Sequence, residues 1–359
     1  MRKIFKMTII VVIFATFSLR VNADGYSDKH IESFEEILPE GLSEISRDTD
    51  ALIDSVGIPR LLAEIKSIIE RDGSSVLGFF LSCIGLGAIL ALTATVSGKL
   101  SKAASVATGA IVSLKIFLNL SGIFTSVQEN LRELCTFFGS AIPIFTAVSV
   151  SSGAVGTASV QAVGMNFTLS IINGAGTGVM LFAVELGLAF AMLSFFGDER
   201  ISTLYANASS FFKWIIGISA TVITATLSLQ SVVSGAADTA AMRAAKYAAS
   251  GMIPVVGGTV SGALSTLTAG LAYVRGIIGA GAVVAVVSIV LAPLVIMLLY
   301  RAALSLSSSI CSLFSSDVAV KILHAYRTAL DSLIAVYALS SCVIIFEIIL
   351  FMRSGVSVF

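Results

Sequence analysis

Charged side chains are scarce in this sequence. Only 12% of its 359 residues are Asp, Glu, Lys or Arg, whereas 56% are hydrophobic. Soluble domains carry about 25% charged residues. A water-soluble fold of this length would therefore have too few polar side chains to cover its surface, and the composition excludes an ordinary soluble globular protein.

Residue patterns that build catalytic and metal sites are also missing. The four cysteines stand singly, and the two histidines, His30 and His324, have no thiol or carboxylate at a metal-ligand spacing. A glycine-rich loop followed by Lys and Ser or Thr is absent, which excludes nucleotide binding by that motif. We therefore predict a protein that is not an enzyme and that needs no metal or cofactor.

Long apolar runs are what the sequence has in abundance. Each covers about twenty residues, the length of helix that crosses the roughly 30 Å hydrocarbon core of a bilayer. A membrane β-barrel would instead show short segments of alternating polarity. We predict an all-α, polytopic membrane protein with about seven transmembrane helices, near residues 76–97, 104–124, 137–157, 177–197, 211–233, 276–300 and 332–352.

The N-terminus has the pattern of a secretory signal peptide. Arg2, Lys3 and Lys6 precede an apolar stretch over residues 7–19, and small residues lead up to Ala23. This pattern predicts a signal peptide over residues 1–23, cleaved after Ala23. An uncleaved anchor helix is the alternative. Either arrangement places the following residues on the extracytoplasmic side.

An acidic segment follows, over residues 24–75, with thirteen acidic and five basic side chains. This balance excludes a nucleic-acid-binding surface there and disfavours docking on anionic lipid. Apolar residues at three- and four-residue steps predict two or three short amphipathic helices in it. We assign residues 24–75 to an extracytoplasmic segment and residues 76–359 to a multi-span membrane domain.

Three charged residues fall inside predicted spans: Lys115, Glu185 and Glu347. A charge at bilayer depth is unfavourable, so such residues normally face a water-filled cavity or a partner group. One hypothesis is that Lys115 and Glu185 pair along an aqueous path. The alternatives are that these side chains extend to the membrane interface or form a purely structural buried pair.

The most distinctive stretch lies within residues 236–275. Arg243 and Lys246 stand on adjacent turns of a short predicted helix, and Pro254 forbids its regular continuation. We predict an amphipathic helix on the cytoplasmic side followed by a broken or re-entrant segment; an interfacial loop is the alternative. Arg275 is expected in the same cytoplasmic connection as Arg243 and Lys246. The candidate partner-binding or gating residues are Asp238, Arg243, Lys246, Pro254, Gly257 and Gly258.

This stretch resembles the stage III sporulation protein AE family of endospore-forming bacteria. In that family, a helix with the pattern D-G-x-x-x-R-x-A-K-[FY] leads into [IV]-P-V-V-G. Here Asp238, Arg243, Lys246 and Tyr247 match the helix, and Ile253-Pro254-Val255-Val256-Gly257 matches the turn. Thr239 stands where the family has glycine.

The resemblance implies a membrane subunit of the channel or secretion-like complex that joins the mother cell to the engulfed forespore. Its partners would be other membrane subunits and a separate cytoplasmic ATPase, and it would lie in the mother-cell membrane around the forespore. The Arg243 and Lys246 helix would dock cytoplasmic partners, and the segment around Pro254 would line or gate a path.

Two features bear on alternatives. Glycine and alanine at small-xxx-small spacing predict either a tightly packed bundle or an oligomer of identical chains.

An independent secondary transporter for a small solute would show inverted repeats with paired broken helices. The sequence has one candidate break, at Pro254, and a weaker one at residues 174–178. An intramembrane enzyme is a third hypothesis.

We expect the purified protein to begin at Asp24, because the residues before it fit a signal-peptidase site. N-terminal sequencing checks this directly. Replacing Ala23 with Arg should retain residues 1–23, whereas the control Asn22→Gln should be cleaved normally. A purified chain that begins at Met1 would identify the uncleaved anchor helix instead.

Overall fold

The computed structural model describes residues 58–95, 99–174, 185–187, 189, 199–233, 257–314 and 317–354. All regular secondary structure in these ranges is helical, which confirms the predicted all-α class. The helices are α1 (Ile58–Thr95), α2 (Lys99–Ser151), α3 (Val155–Ile171), α4 (Glu199–Val233), α5 (Gly257–Leu313) and α6 (Asp317–Arg353).

The two C-terminal helices, α5 and α6, form an antiparallel pair at the centre of the bundle. An ion pair joins Arg301 to Asp331, and Tyr337 donates a hydrogen bond to the carbonyl oxygen of Ile289 at 3.5 Å. Most side chains between residues 274 and 290 of α5 are buried, as are most of those in the second half of α6. The apolar core therefore lies around this pair.

Helix α1 packs along α5 in a parallel direction. The rings of Phe79 and Tyr300 lie 5.0 Å apart between centroids, and the Cys311 thiol approaches the Cys83 carbonyl oxygen at 4.0 Å. Gly87 makes this approach possible, since a Cβ atom there would lie 2.2 Å from the Cys311 sulfur.

Helix α2 runs parallel to α6. The Tyr326 hydroxyl donates to the Ser113 carbonyl oxygen at 2.9 Å, and the Phe145 and Phe351 rings stack with centroids 4.3 Å apart. These two contacts lie about 32 residues apart on α2, which is roughly 48 Å along the helix. The two helices therefore stay together over most of their length.

A tight turn reverses the chain between α2 and α3. Gly153 adopts a φ of 79°, in the left-handed region that favours glycine. The Gly153 amide donates to the Val150 carbonyl at 2.9 Å, and the Ala154 amide donates to the Ser149 carbonyl at 3.1 Å. This turn places α3 antiparallel to α2.

Five helices in the described ranges are long and apolar enough to cross a bilayer. The chain is thus a multi-pass helical membrane protein. The segments are Leu61–Thr93, Val106–Ser151, Val155–Gly174, Gly270–Leu313 and Asp317–Arg353, and α4 contributes a shorter apolar stretch, Gly217–Gln230.

The predicted count of seven is not confirmed, chiefly because two predicted spans form one helix. Residues 104–124 and 137–157 were expected as separate spans, but α2 runs continuously from Lys99 to Ser151. Glu129 and Glu133, expected in the loop between them, lie on its exposed side. The fall in hydropathy near these residues reflects polar side chains on the exposed face of one continuous helix. It does not mark the end of the helix.

Other boundaries also differ from the prediction. The helix expected to end at 157 stops at Ser151, and α3 is a span that the hydropathy pattern had not separated. Helix α1 passes residue 75 without a break, so the predicted limit between the acidic segment and the first span falls inside a continuous helix. Residues 1–57, and most of the predicted span 177–197, lie outside the described ranges.

Only the second half of the stretch 236–275, where a broken segment is predicted, lies within the described ranges. Helix α5 begins at Gly257 and is continuous through Arg275, so the second half of this region is regular helix. Arg275, expected in a cytoplasmic connection, is buried within the bundle. Residues 234–256 are outside the described ranges, and the break at Pro254 stays a prediction.

Gly87→Ala should destabilise the bundle by about 1–3 kcal/mol, because its methyl group would overlap the Cys311 sulfur. Gly85→Ala is the matched control, since no atom lies within 4 Å of a Cβ at that position. Unfolding of the purified protein in detergent measures both.

Combining Gly87→Ala with Cys311→Ala should restore most of the lost stability, because only the sulfur lies closer than 3.4 Å. Equal stabilities for Gly87→Ala and Gly85→Ala would contradict the close packing of α1 on α5.

Candidate functional site

Several of the predicted site residues lie beyond the described ranges. Asp238, Arg243, Lys246 and Pro254 fall within residues 234–256. Gly257 and Gly258 are the first residues of α5. The roles proposed for this stretch in partner binding or gating therefore stay predictions.

The predicted pairing of Lys115 with Glu185 is not seen. Both side chains are exposed on the surface of the chain. The ion pairs among described residues join other side chains, such as Lys66 with Glu70 and Arg301 with Asp331.

Glu347, the third predicted intramembrane charge, is fully buried at the point where α3, α4 and α6 meet. Its Oε1 atom accepts two hydrogen bonds, from the Thr168 hydroxyl at 2.6 Å and from the Gln230 side-chain nitrogen at 3.2 Å. Thr168 is also fully buried, and Gln230 is only 2% exposed. We call these three residues the Glu347 cluster.

The Glu347 cluster depends on a glycine in α3. A Cβ atom at Gly164 would lie 1.7 Å from the Gln230 side-chain nitrogen, so any larger residue would occupy the space of that amide. Gly164 lies one helical turn before Thr168 on the same side of α3. The missing side chain therefore lets α4 bring Gln230 up to the carboxyl group.

A second set of polar contacts continues along the same two helices. Gln161 donates to the Ser354 hydroxyl at 2.5 Å and to the Leu350 carbonyl at 3.3 Å. Gln161 precedes Thr168 by seven residues, just as Glu347 precedes Ser354. The matched spacing indicates that α3 and α6 run antiparallel, with polar side chains facing each other over two turns.

Arg275 is a further buried charge, on α5. Its Nη2 atom donates to the Ser152 hydroxyl at 2.6 Å in the α2–α3 turn, and its guanidinium lies 5.6 Å from the centre of the Phe351 ring. Contact with an aromatic face partly compensates a desolvated cation. Arg275 thus links the α2–α3 turn to the end of α6.

Four buried polar atoms in the described ranges have no hydrogen-bond partner. They are Ser149 Oγ, Gln230 Oε1, Arg275 Nε and Glu347 Oε2. Buried polar groups are nearly always satisfied, so unpaired atoms call for a physical explanation. Two of the four belong to the Glu347 cluster.

A different polar feature covers the outside of α2. From residue 119 to 140, every exposed residue is polar, charged or glycine, whereas the buried positions are apolar, including Leu120, Phe124 and Leu131. We call this surface the α2 polar face: Asn119, Gly122, Thr125, Ser126, Glu129, Arg132, Glu133, Thr136 and Ser140.

The outer side of α1 is apolar, in contrast to the α2 polar face. Leu77, Leu81, Ile89 and Leu92 are all exposed there, at 48–67%. Such a surface suits lipid, whereas the α2 polar face, with two acidic side chains and an arginine, suits water or a polar partner. The two outer helices therefore expose surfaces of opposite character.

Sequence reasoning found Glu347 but missed its partners. Thr168 and Gln230 lie 179 and 117 residues away along the chain, and both are uncharged, so neither stands out in an apolar sequence. The signal in the sequence that could have pointed to them is a polar side chain that stands alone in an apolar run. No group of three or more His, Cys, Asp or Glu side chains in the described ranges could hold a metal ion.

Replacing Gln230 with Leu should cost about 1–3 kcal/mol, because the carboxyl group of Glu347 loses a hydrogen-bond donor inside the bundle. The same replacement in a Glu347→Leu background should cost much less, since no polar partner remains. A double-mutant cycle in detergent measures the difference. Equal losses in both backgrounds would show that the two side chains do not interact.

The family model described as stage III sporulation protein AE matches residues 60–355, a range that begins in the first turn of α1 and extends past the end of α6. The search of curated proteins found no match, and neither did the search of solved structures. Because the match covers most of the sequence, the chain belongs to the stage III sporulation protein AE family.

Proposed function

We propose that this protein is a non-enzymatic membrane subunit of the channel or secretion-like complex that joins the mother cell to the forespore during sporulation. The observation that carries the proposal is the family match over residues 60–355, which implies a role in sporulation. The five apolar helices support a position within a membrane.

The α2 polar face favours a subunit that works with other chains or along a water-filled path. It extends over 22 residues, or about 33 Å of helix, which is close to the hydrocarbon thickness of a bilayer. The segment lies between the contacts of Ser113 with Tyr326 and of Phe145 with Phe351, so it runs beside the apolar half of α6.

Charged side chains in contact with lipid at this depth are unfavourable. Glu129, Arg132 and Glu133 therefore need water or polar groups from another chain beside them. A subunit of a multi-protein channel or export complex meets that requirement. A monomer surrounded only by lipid does not.

Partners and location belong to the same proposal. The protein would lie in the mother-cell membrane around the forespore with its N-terminus extracytoplasmic, associated with other membrane subunits and a cytoplasmic ATPase. The basic helix with Arg243 and Lys246 would face the ATPase side, and identical chains could also associate through the α2 polar face.

Deleting the gene in its sporulating host should abolish late forespore gene expression and heat-resistant spores, and the wild-type gene should restore both. A tagged copy purified from sporulating cells should carry the other membrane subunits and the ATPase. Normal spores from the deletion strain would refute the proposal. Solute transport by the protein alone in liposomes would favour an independent transporter.

A second experiment addresses the α2 polar face. Glu129→Leu with Glu133→Leu should leave the protein in the membrane but fail to restore forespore gene expression, because the face loses its affinity for water or polar partners. The control is Leu77→Ala with Leu81→Ala on the lipid-suited side of α1, which should restore it. Full restoration by the Glu129 and Glu133 variant would show that the two carboxylates are not required, which would contradict the role proposed for this face.

A further inference from the structure

The Glu347 cluster has an unusual composition for the centre of an apolar bundle. It brings together a carboxyl group, a hydroxyl group and a carboxamide from three different helices. All three side chains are at least 98% buried. Within the described part of the chain, the carboxyl group accepts its hydrogen bonds from Thr168 and Gln230.

Two oxygen atoms in the cluster lack a partner, Glu347 Oε2 and Gln230 Oε1. Oxygen atoms without hydrogens can only accept, so each needs a hydrogen-bond donor or a cation to be satisfied. A buried carboxylate with a bare oxygen is especially unfavourable, because charge in a low-dielectric interior must be compensated.

No basic side chain in the described ranges supplies that compensation. Helix α3 has no titratable residue, α4 has none after Lys213, and α2 has none between Cys135 and its end. On α5, Arg275 and Tyr273 lie toward this end of the bundle. The Arg275 guanidinium, however, bonds Ser152 and lies over Phe351, and it forms no ion pair with Glu347.

On α6 itself, the nearest charged residue is Arg353, whose side chain is exposed, whereas Glu347 is buried. Cys342 is the only titratable group within one and a half turns of Glu347 on α6, and it is also buried. The negative charge of an ionised Glu347 would therefore have no counter-charge from the helices described around it.

We propose that Glu347, Thr168 and Gln230 form a binding site for one monovalent cation, a proton or Na⁺, which neutralises the carboxyl group. The donor atoms are all oxygen, the type that protons and hard cations prefer. A single carboxylate carries one negative charge, which matches a monovalent ion and falls short of the charge that buried divalent sites provide.

The geometry accommodates either occupant. Turning the Gln230 amide by half a rotation exchanges its nitrogen and oxygen, which places the oxygen 3.2 Å from Glu347 Oε1. A protonated carboxyl group then donates to this oxygen while it still accepts from Thr168. With Na⁺ instead, the carboxylate, the amide oxygen and the hydroxyl oxygen are the three side-chain groups that would bind the ion.

The site is distinct from the proposed role in sporulation, and this inference does not depend on it. The site means that the packing of three helices depends on whether a cation neutralises one carboxyl group. Helices α3, α4 and α6 meet at one carboxyl group, so an empty site leaves a buried charge where three helices join. Occupancy should therefore stabilise the packing of these three helices.

Dicyclohexylcarbodiimide tests the proposal on the purified full-length protein. The O–H of a protonated carboxyl group adds across a C=N bond of this apolar reagent, and the adduct rearranges to a stable N-acylurea with no leaving group. Mass spectrometry of the peptide that contains Glu347 measures the adduct. The exposed Glu129 and Glu133 serve as internal controls in the same sample.

Glu347 should be labelled far faster than Glu129 or Glu133 in neutral buffer, and labelling should fall about tenfold for each pH unit above its midpoint. Replacing choline chloride with NaCl at equal ionic strength distinguishes the two occupants. Protection by NaCl identifies a sodium site in competition with protons, and equal labelling in both salts identifies a proton site.

Thermal unfolding provides a readout that does not require the reagent to reach the site. Glu347→Gln replaces the carboxyl group with a neutral group of the same shape, so it resembles the occupied state. Wild-type protein should lose stability relative to Glu347→Gln as the pH rises in the absence of Na⁺, because the carboxylate becomes a buried charge.

The two profiles should converge at low pH, where the wild-type carboxyl group is protonated. In Gln230→Leu the midpoint for labelling should shift, because one of the three oxygen donors is gone. Coincident pH profiles for wild type and Glu347→Gln would overturn the proposal whatever the labelling result.

Discussion

The antiparallel contact between α5 and α6 is the interaction on which the rest of the bundle depends. In lipid, apolar side chains gain nothing by leaving their surroundings, so helices associate through close packing and polar contacts. This pair has both, because the Arg301–Asp331 ion pair and the Tyr337 hydrogen bond to Ile289 accompany its apolar packing. Helices α1 and α2 then pack on the surfaces that the pair presents.

Polar side chains inside the bundle follow the same logic. Ser113 with Tyr326, Gln161 with Ser354, and Thr168 with Glu347 each join helices that are distant in sequence. A hydrogen bond of this kind is directional, so it fixes the rotation of one helix about its axis relative to the next. Apolar packing alone would leave that rotation less well determined.

The sequence was sufficient for the fold class but not for the helix boundaries. Apolar runs predicted membrane helices because every backbone polar group in lipid must be satisfied within its own segment. The same hydropathy argument divided α2 in two, because Glu129 and Glu133 lower the average although Leu131 and Leu134 continue the buried face. A hydropathy average over a window of residues does not distinguish a charge on the exposed face of a helix from one on its buried face.

The candidate site shows a similar limit. Glu347 could be predicted from one residue, since an acid in an apolar run is conspicuous by itself. Arg275 was assigned to a connection, because its burial depends on Ser152 and Phe351, which the chain brings together from distant positions. Position in three dimensions decides whether a charge is a loop residue or a buried one, and a single sequence does not contain that information.

The lengths of α2 and α5 have a mechanical consequence. At 53 and 57 residues they rise about 80 and 86 Å, far more than the roughly 30 Å of hydrocarbon in a bilayer. Each helix contains one internal proline, Pro143 in α2 and Pro293 in α5, and the backbone stays helical through both. The part of each helix inside the membrane and the part that projects beyond it therefore belong to one continuous backbone, along which a movement of the projecting end reaches the bilayer.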